Sequence, residues 1–173
     1  MRKFQNLIES LRRFGVILPQ LVADVSSDDA RWRPVDGSWS ILEVVSHLCD
    51  EEEYDFRARV RSTLETPERP WDPIDPPGWA VERRYNEREL ATEAARFQQL
   101  RASSVTWLRS LDNPDWSRTH LHPKFGPLNA GELFAAWVAH DQLHLRQIAK
   151  RQFQMIQRDA EPYSTHYAGD WTA

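Results

Sequence analysis

The sequence predicts an all-α fold built on four long helices, from three observations. Apolar residues recur at helical spacing in four separate stretches. The last three stretches each open on a capping signal, and no segment alternates at the two-residue period of a strand.

The first helix spans roughly residues 2–24, where Phe4, Leu7, Ile8, Leu11, Phe14, Leu18 and Val22 make one stripe, with a kink expected near Gly15 and Pro19. The second runs over 41–64. Ser40 and Glu43 form its capping box, and Ile41, Val44, Val45 and Leu48 its buried stripe. The third follows Asn86, which pairs with Glu89 as a cap, and buries Leu90, Ala94, Phe97, Ser104, Leu108 and Leu111, with Arg101 on the same face. The fourth follows Asn129 and Glu132 and continues to Gln152.

Two long connections separate these helices. Residues 65–86 carry five prolines together with Trp71 and Trp79, a segment too aromatic for a spacer and expected to pack across one end of the helices, as a covering loop or a lid. Residues 112–129 lead into the last helix.

A chain of 173 residues with 40% hydrophobic content builds one core, so a single domain is expected over 1–173. A net charge of −4 with no basic stripe argues against nucleic acid. The amino terminus lacks an apolar signal core, and the run Phe14–Pro19 is short and proline-broken, so a cytoplasmic protein without membrane association is expected. The single cysteine, Cys49, forms no internal disulfide, which fits a reducing compartment.

The chemistry points to His140 and His144. At about 100° per residue, Leu133, Ala136, Trp137, His140, Leu143, His144, Gln147 and Ile148 share one side of the last helix, so both rings face inward. Core histidines bonded to backbone carbonyls would satisfy this pattern, and so would a divalent cation. A third ligand is available at His47, on the flank of the second helix's stripe and one turn from Glu51. Cys49 lies about 200° round the helix from His47 and cannot share an ion with it, so it reads as a packed thiol. His120 and His122, beside Pro123, read as surface histidines. His166 sits in an aromatic tail expected to fold back on the helices. The acidic run Asp50–Asp55 reads as a solvated helix face, from which Glu51 is a candidate hydrogen-bond acceptor for a ligand or a fourth ligand itself.

Trp39-Ser-Ile-Leu-Glu-Val-Val-Ser-His47-Leu-Cys-Asp-Glu51, followed much later by His140-Asp-Gln-Leu-His144-Leu-Arg-Gln147-Ile148, resembles the DinB/YfiT-like superfamily in order and spacing over nearly the whole chain. The resemblance implies a four-helix bundle, with long loops between helices 2–3 and 3–4, and a divalent ion held by His47, His140 and His144. Three neutral imidazoles suit zinc, nickel or ferrous iron. It further implies a small-molecule substrate and either a transferase using a low-molecular-weight thiol such as bacillithiol, mycothiol or glutathione, or a metal-dependent hydrolase. A homodimer is the candidate assembly, and a non-catalytic bundle fastened by its ion is the opposing class. Gln147 and Glu51 are the candidates to orient ligands, and Arg101 to hold an anionic substrate or thiol carboxylate.

Overall fold

The computed structural model describes residues 2–171 and is dominated by four long helical segments. The first, α1 (Arg2–Leu21), is one helix, with Pro19 in its final turn, where it forgoes the one bond its N–H would have made to the Gly15 carbonyl without breaking the helix. After a short helix α2 (Ser27–Arg31), Ser40 and Glu43 cap α3 (Ile41–Asp50) reciprocally. A π-helical turn over Glu51–Asp55 then joins α3 to α4 (Phe56–Glu65), so the second long segment carries an irregularity in its middle.

The connection from 65 to 86 has structure of its own. It contains α5 (Pro76–Glu82), capped by Asp75 and opened by two prolines, and a 3₁₀ turn at Tyr85–Glu87. The next long helix, α6 (Leu90–Ser110), starts later than the Asn86–Glu89 pair suggested. Asn86 instead ties the chain together, bonded to Ser40 Oγ (2.6 Å) and to the Arg31 carbonyl (3.0 Å). The last helix, α7 (Ala130–Asp159), has the expected Asn129–Glu132 capping box.

The sequence showed no strand, yet β1 (Thr119–His122) and β2 (Gly126–Asn129) pair antiparallel, with His122 opposite Gly126. Four-residue strands are too short to display a period, and Gly126, at φ 74°, supplies the left-handed residue that the turn needs. In the tail, Trp171 folds back on Phe153 (5.6 Å between ring centres), but Tyr163, His166 and Tyr167 are exposed, so the expected packing holds only for the tryptophan.

The core divides into two apolar lobes. Phe14, Leu18, Leu48, Phe97 and Ile148 fill one, and Leu11, Val60, Val105, Phe134 and Trp137 the other. Each long helix crosses the boundary between them, and three place a charge there: Glu52, Arg101 and Asp141. Helix α1 contributes Gly15 at this level, where a Cβ would come within 2.7 Å of Arg101 Cγ. A buried charged layer separating two apolar lobes penalises any sliding of one helix past another, because a shifted register would leave carboxylates facing hydrocarbon.

Candidate metal centre

His47, His140 and His144 converge. One ring nitrogen from each lies within 4.8 Å of the others, and among the described residues this group has three donors and no fourth. The stripe of α3 buries His47, while α7 brings His140 and His144 up as consecutive turns of one face. That face is rotated from the sequence expectation. Phe134, Trp137, Asp141, His144, Ile148, Arg151 and Met155 are buried, whereas Ala136 and Leu143 are exposed and His140 is half-buried at the edge.

His144 Nε2 stands 3.1 Å from His140 Nε2, and His144 Nδ1 stands 2.8 Å from Gln147 Oε1. The amide oxygen accepts only, so Nδ1 carries the proton and the Nε2 lone pair points at His140. Two nitrogens on one tetrahedral ion, each at about 2.0–2.1 Å, stand about 3.3 Å apart, close to this spacing. His47 Nδ1 is buried without a hydrogen-bond partner, with Glu51 Oε1 at 3.6 Å as its nearest carboxylate oxygen. Ring centres of Trp39, 4.9 Å from His47, and Phe56, 4.9 Å from His140, wall the cluster.

Burial, then the neighbouring rings His144 and His140, push the His47 imidazole down to about 2. Burial, then His144 and Arg101, push His140 down to about 3, and burial lowers His144. All three therefore stay neutral at physiological pH, the protonation state that a metal ligand requires. The donor set and the orphaned His47 nitrogen fit a divalent cation.

Glu51 is not one of the three converging donors, and its carboxyl stands beside His47 without a hydrogen bond to it, Oε1 lying 3.6 Å from Nδ1. Its carboxyl is pushed up to about 9 by burial and by the adjacent Asp55. The acidic run is not a solvated face. Asp50, Glu51, Glu52 and Asp55 are all buried, and only Tyr54 within the run is exposed. Asp50 takes Tyr85 Oη (2.5 Å) and Arg83 (2.7 Å), and Asp55 pairs with Arg59 (2.5 Å).

Arg101 is inward, as its place on α6 suggested, but it does not face a ligand. Its guanidinium meets Glu52 at 2.7 Å, both oxygens of Asp141 at 2.6 and 2.8 Å, and the Leu11 carbonyl at 3.2 Å. Four of the five N–H groups donate in these bonds, Nη2 also stands 2.7 Å from Glu52, and the guanidinium is fully buried, so it is committed within the bundle and not presented to a substrate or thiol carboxylate. Trp137 Nε1 (2.8 Å) and Ser104 Oγ (2.7 Å) complete Glu52. This network joins the π-helical turn, α6 and α7, and so fixes the distance between the elements that carry His47 and the α7 pair. Sequence reasoning missed Glu52 and Asp141 because carboxylates were assigned to solvent. Asp141, at heptad-like spacing between Trp137 and His144, was the available signal.

Cys49 is fully buried, donates to the Glu93 carbonyl at 3.4 Å, and has its thiol pushed up by burial, which makes it inert. His120 is also buried rather than superficial. It bonds the Pro67 carbonyl (2.7 Å) and stacks on Trp71 with ring centres 4.0 Å apart. His166 remains exposed, away from any cluster.

Fold and centre together define a helical bundle with a three-histidine cluster between its second and fourth long segments. The chain belongs to the DinB superfamily, whose family model matches residues 11–148. It is 28% identical over 145 residues, 83% of this chain and 80% of the relative, to a protein of Oceanobacillus iheyensis that carries the name "Putative metal-dependent hydrolase". The solved structure of YfiT from Bacillus subtilis, described as a probable metal-dependent hydrolase with an unusual four-helix bundle topology, superposes with a TM-score of 0.78. It is 21% identical and covers 87% of this chain and 86% of its own, a likeness of fold.

Proposed function

We propose that this chain is a metal-dependent enzyme, with a divalent cation held by His47, His140 and His144, that hydrolyses a small-molecule substrate. The observation that carries the reading is the three-donor cluster itself, since three protein ligands and an open fourth position are the arrangement of catalytic rather than structural sites. Zinc, nickel and ferrous iron all suit three neutral imidazoles. When bound, such a cation supplies Lewis acidity and a nucleophile at neutral pH.

The chain's own residues do the rest. Gln147 accepts from His144 Nδ1 and holds that ring with Nε2 inward. Trp39 and Phe56 keep water from the flanks, and the half-buried edge of His140 leaves one side for substrate. The hydrolytic reading also draws on the O. iheyensis relative's name. A thiol-dependent transferase uses the same open position, but the residue expected to hold the thiol's carboxylate, Arg101, is committed to Glu52 and Asp141.

The test is a panel of esters and amides, assayed with metal-loaded and metal-stripped protein, with and without added thiol. Turnover that needs metal, needs no thiol and disappears in His140→Ala supports the proposal. Turnover only with added thiol replaces it by the transferase, and none in either screen by a structural ion.

A further inference from the structure

A second constellation lies outside the histidine cluster, where the proline-rich connection meets the hairpin. A cavity of about 700 Å³ opens there, walled largely by apolar side chains such as Ile74 and Phe125, with Arg59, Trp71, His120 and His122 among its lining. It begins one turn along α4 from Phe56, whose ring packs on His140.

The wall is preorganised. Trp71 stacks on His120, 4.0 Å away and nearly parallel, and packs against the Arg59 guanidinium, 4.9 Å from the ring centre, two contacts that hold the ring in place. The two histidines are fixed in opposite tautomers. His120 Nδ1 lies 2.7 Å from the Pro67 carbonyl, which accepts only, so Nδ1 carries the proton and Nε2 is an acceptor. His122 Nδ1 accepts the backbone N–H groups of Lys124 and Phe125, both at 3.1 Å, so its proton is on Nε2, a donor. Among the described residues neither Nε2 has a partner. The charged groups of the lining are Arg59 and Lys124 against Glu68 and Asp72, and because Arg59 is also paired with Asp55 there is no surplus of cations to hold an anion. One fixed acceptor and one fixed donor on largely apolar walls with no cation surplus select a ligand that offers both a donor and an acceptor and carries no negative charge.

We propose that this cavity binds the uncharged aromatic amide portion of a substrate, a flat ring whose carbonyl accepts from His122 Nε2 and whose N–H donates to His120 Nε2. The amide here is a recognition group remote from the bond that reacts. As a statement about substrate class, the inference rests on the enzymatic reading above; as a statement about binding, it does not.

The experiment is calorimetric titration of benzamide, benzoate and cyclohexanecarboxamide into the full chain, in wild type and in His140→Ala. Benzamide should bind about 3–10-fold more tightly than benzoate, which lacks the N–H donor, the value of one neutral hydrogen bond; it should also bind more tightly than cyclohexanecarboxamide, which makes the same hydrogen bonds but has a puckered ring, and equally in His140→Ala. His120→Phe keeps the stack on Trp71 and removes the acceptor, so the preference over benzoate should close. Ile74→Trp, which fills the cavity, should abolish binding. Equal affinity for the three ligands, no saturable benzamide binding, or undiminished binding in Ile74→Trp overturns the proposal. Benzamide binding in a protein that turns over no ester or amide removes the enzymatic reading and leaves the site; turnover without benzamide binding does the reverse.

Discussion

Arg101→Met removes the one cation of the buried layer while keeping much of its volume. Five N–H donors disappear, but the two carboxylates lose unequally. Glu52 retains Ser104 Oγ and Trp137 Nε1, whereas Asp141 has no other side-chain donor among the described residues. Breaking a buried pair by deleting one partner costs about 3–5 kcal/mol, here mostly through Asp141. For a chain of this length that is a fall of about 6–20 °C in Tm. Adding Asp141→Asn removes the stranded charge and should recover about 1–3 kcal/mol. The acid dependence has a definite sign. Burial already holds the Asp141 carboxyl up to about 6 against the opposing pull of Arg101, so without Arg101 it rises further. The variant's native carboxyl then binds its proton more readily than the unfolded one, and the deficit against wild type shrinks as pH falls. Urea unfolding of wild type, Arg101→Met and the double variant at pH 8 and pH 5.5 measures all three effects. A loss below about 1 kcal/mol, or a deficit that grows in acid, refutes the charged layer as a cohesive element.

Three further outcomes follow from the centre. Metal-free protein should be most stable near pH 6.5. The histidines, lowered to about 2 and about 3 for His47 and His140, remain neutral when folded but protonate when unfolded below about 6.5, so stability falls toward acid by up to about 1.4 kcal/mol per pH unit for each. Glu51, raised to about 9, keeps its proton when folded and loses it when unfolded above the ordinary carboxylate range, so it removes up to about 1.4 kcal/mol per pH unit, partly offsetting the histidines below pH 6.5 and lowering stability unopposed by them from there toward 9; unfolding across pH 5–9 checks the shape. Metal at a hundredfold excess over its Kd should add about 2.7 kcal/mol, and because burial moves proton competition at the folded ligands well below the ordinary histidine range, that increment should persist from pH 8 to pH 5. His47→Ala should lose bound metal as measured by elemental analysis, while Cys49→Ser, whose thiol lies buried against Glu93, should retain it.

The four long helices were legible because their signals are local. The Ser40–Glu43 and Asn129–Glu132 boxes form as their residue types dictate, and the α6 stripe through Phe97, Arg101, Ser104 and Leu108 is buried throughout. The histidines were legible because inward imidazoles on two helices need an explanation. What could not be read was which polar residues find partners across the bundle. Asp50, Glu52 and Asp141 look solvated in sequence, and only the arrival of Arg83 and Arg101 from elsewhere makes their burial tolerable, whereas Asp55 pairs with Arg59 one turn along its own segment. His120 escaped for the same reason, since its partners Pro67 and Trp71 lie some fifty residues earlier in the chain. The π-helical turn has no residue signature of its own, and it changes which of the acidic residues face inward.

The proposed ligand set is tested most directly by X-ray absorption at the metal edge of protein loaded with one equivalent of zinc, compared between wild type and His47→Ala. Three imidazole nitrogens at about 2.0–2.1 Å are expected in wild type and two, with weaker retention, in the variant. A shell unchanged by His47→Ala, or one that contains sulfur from Cys49, contradicts that ligand set.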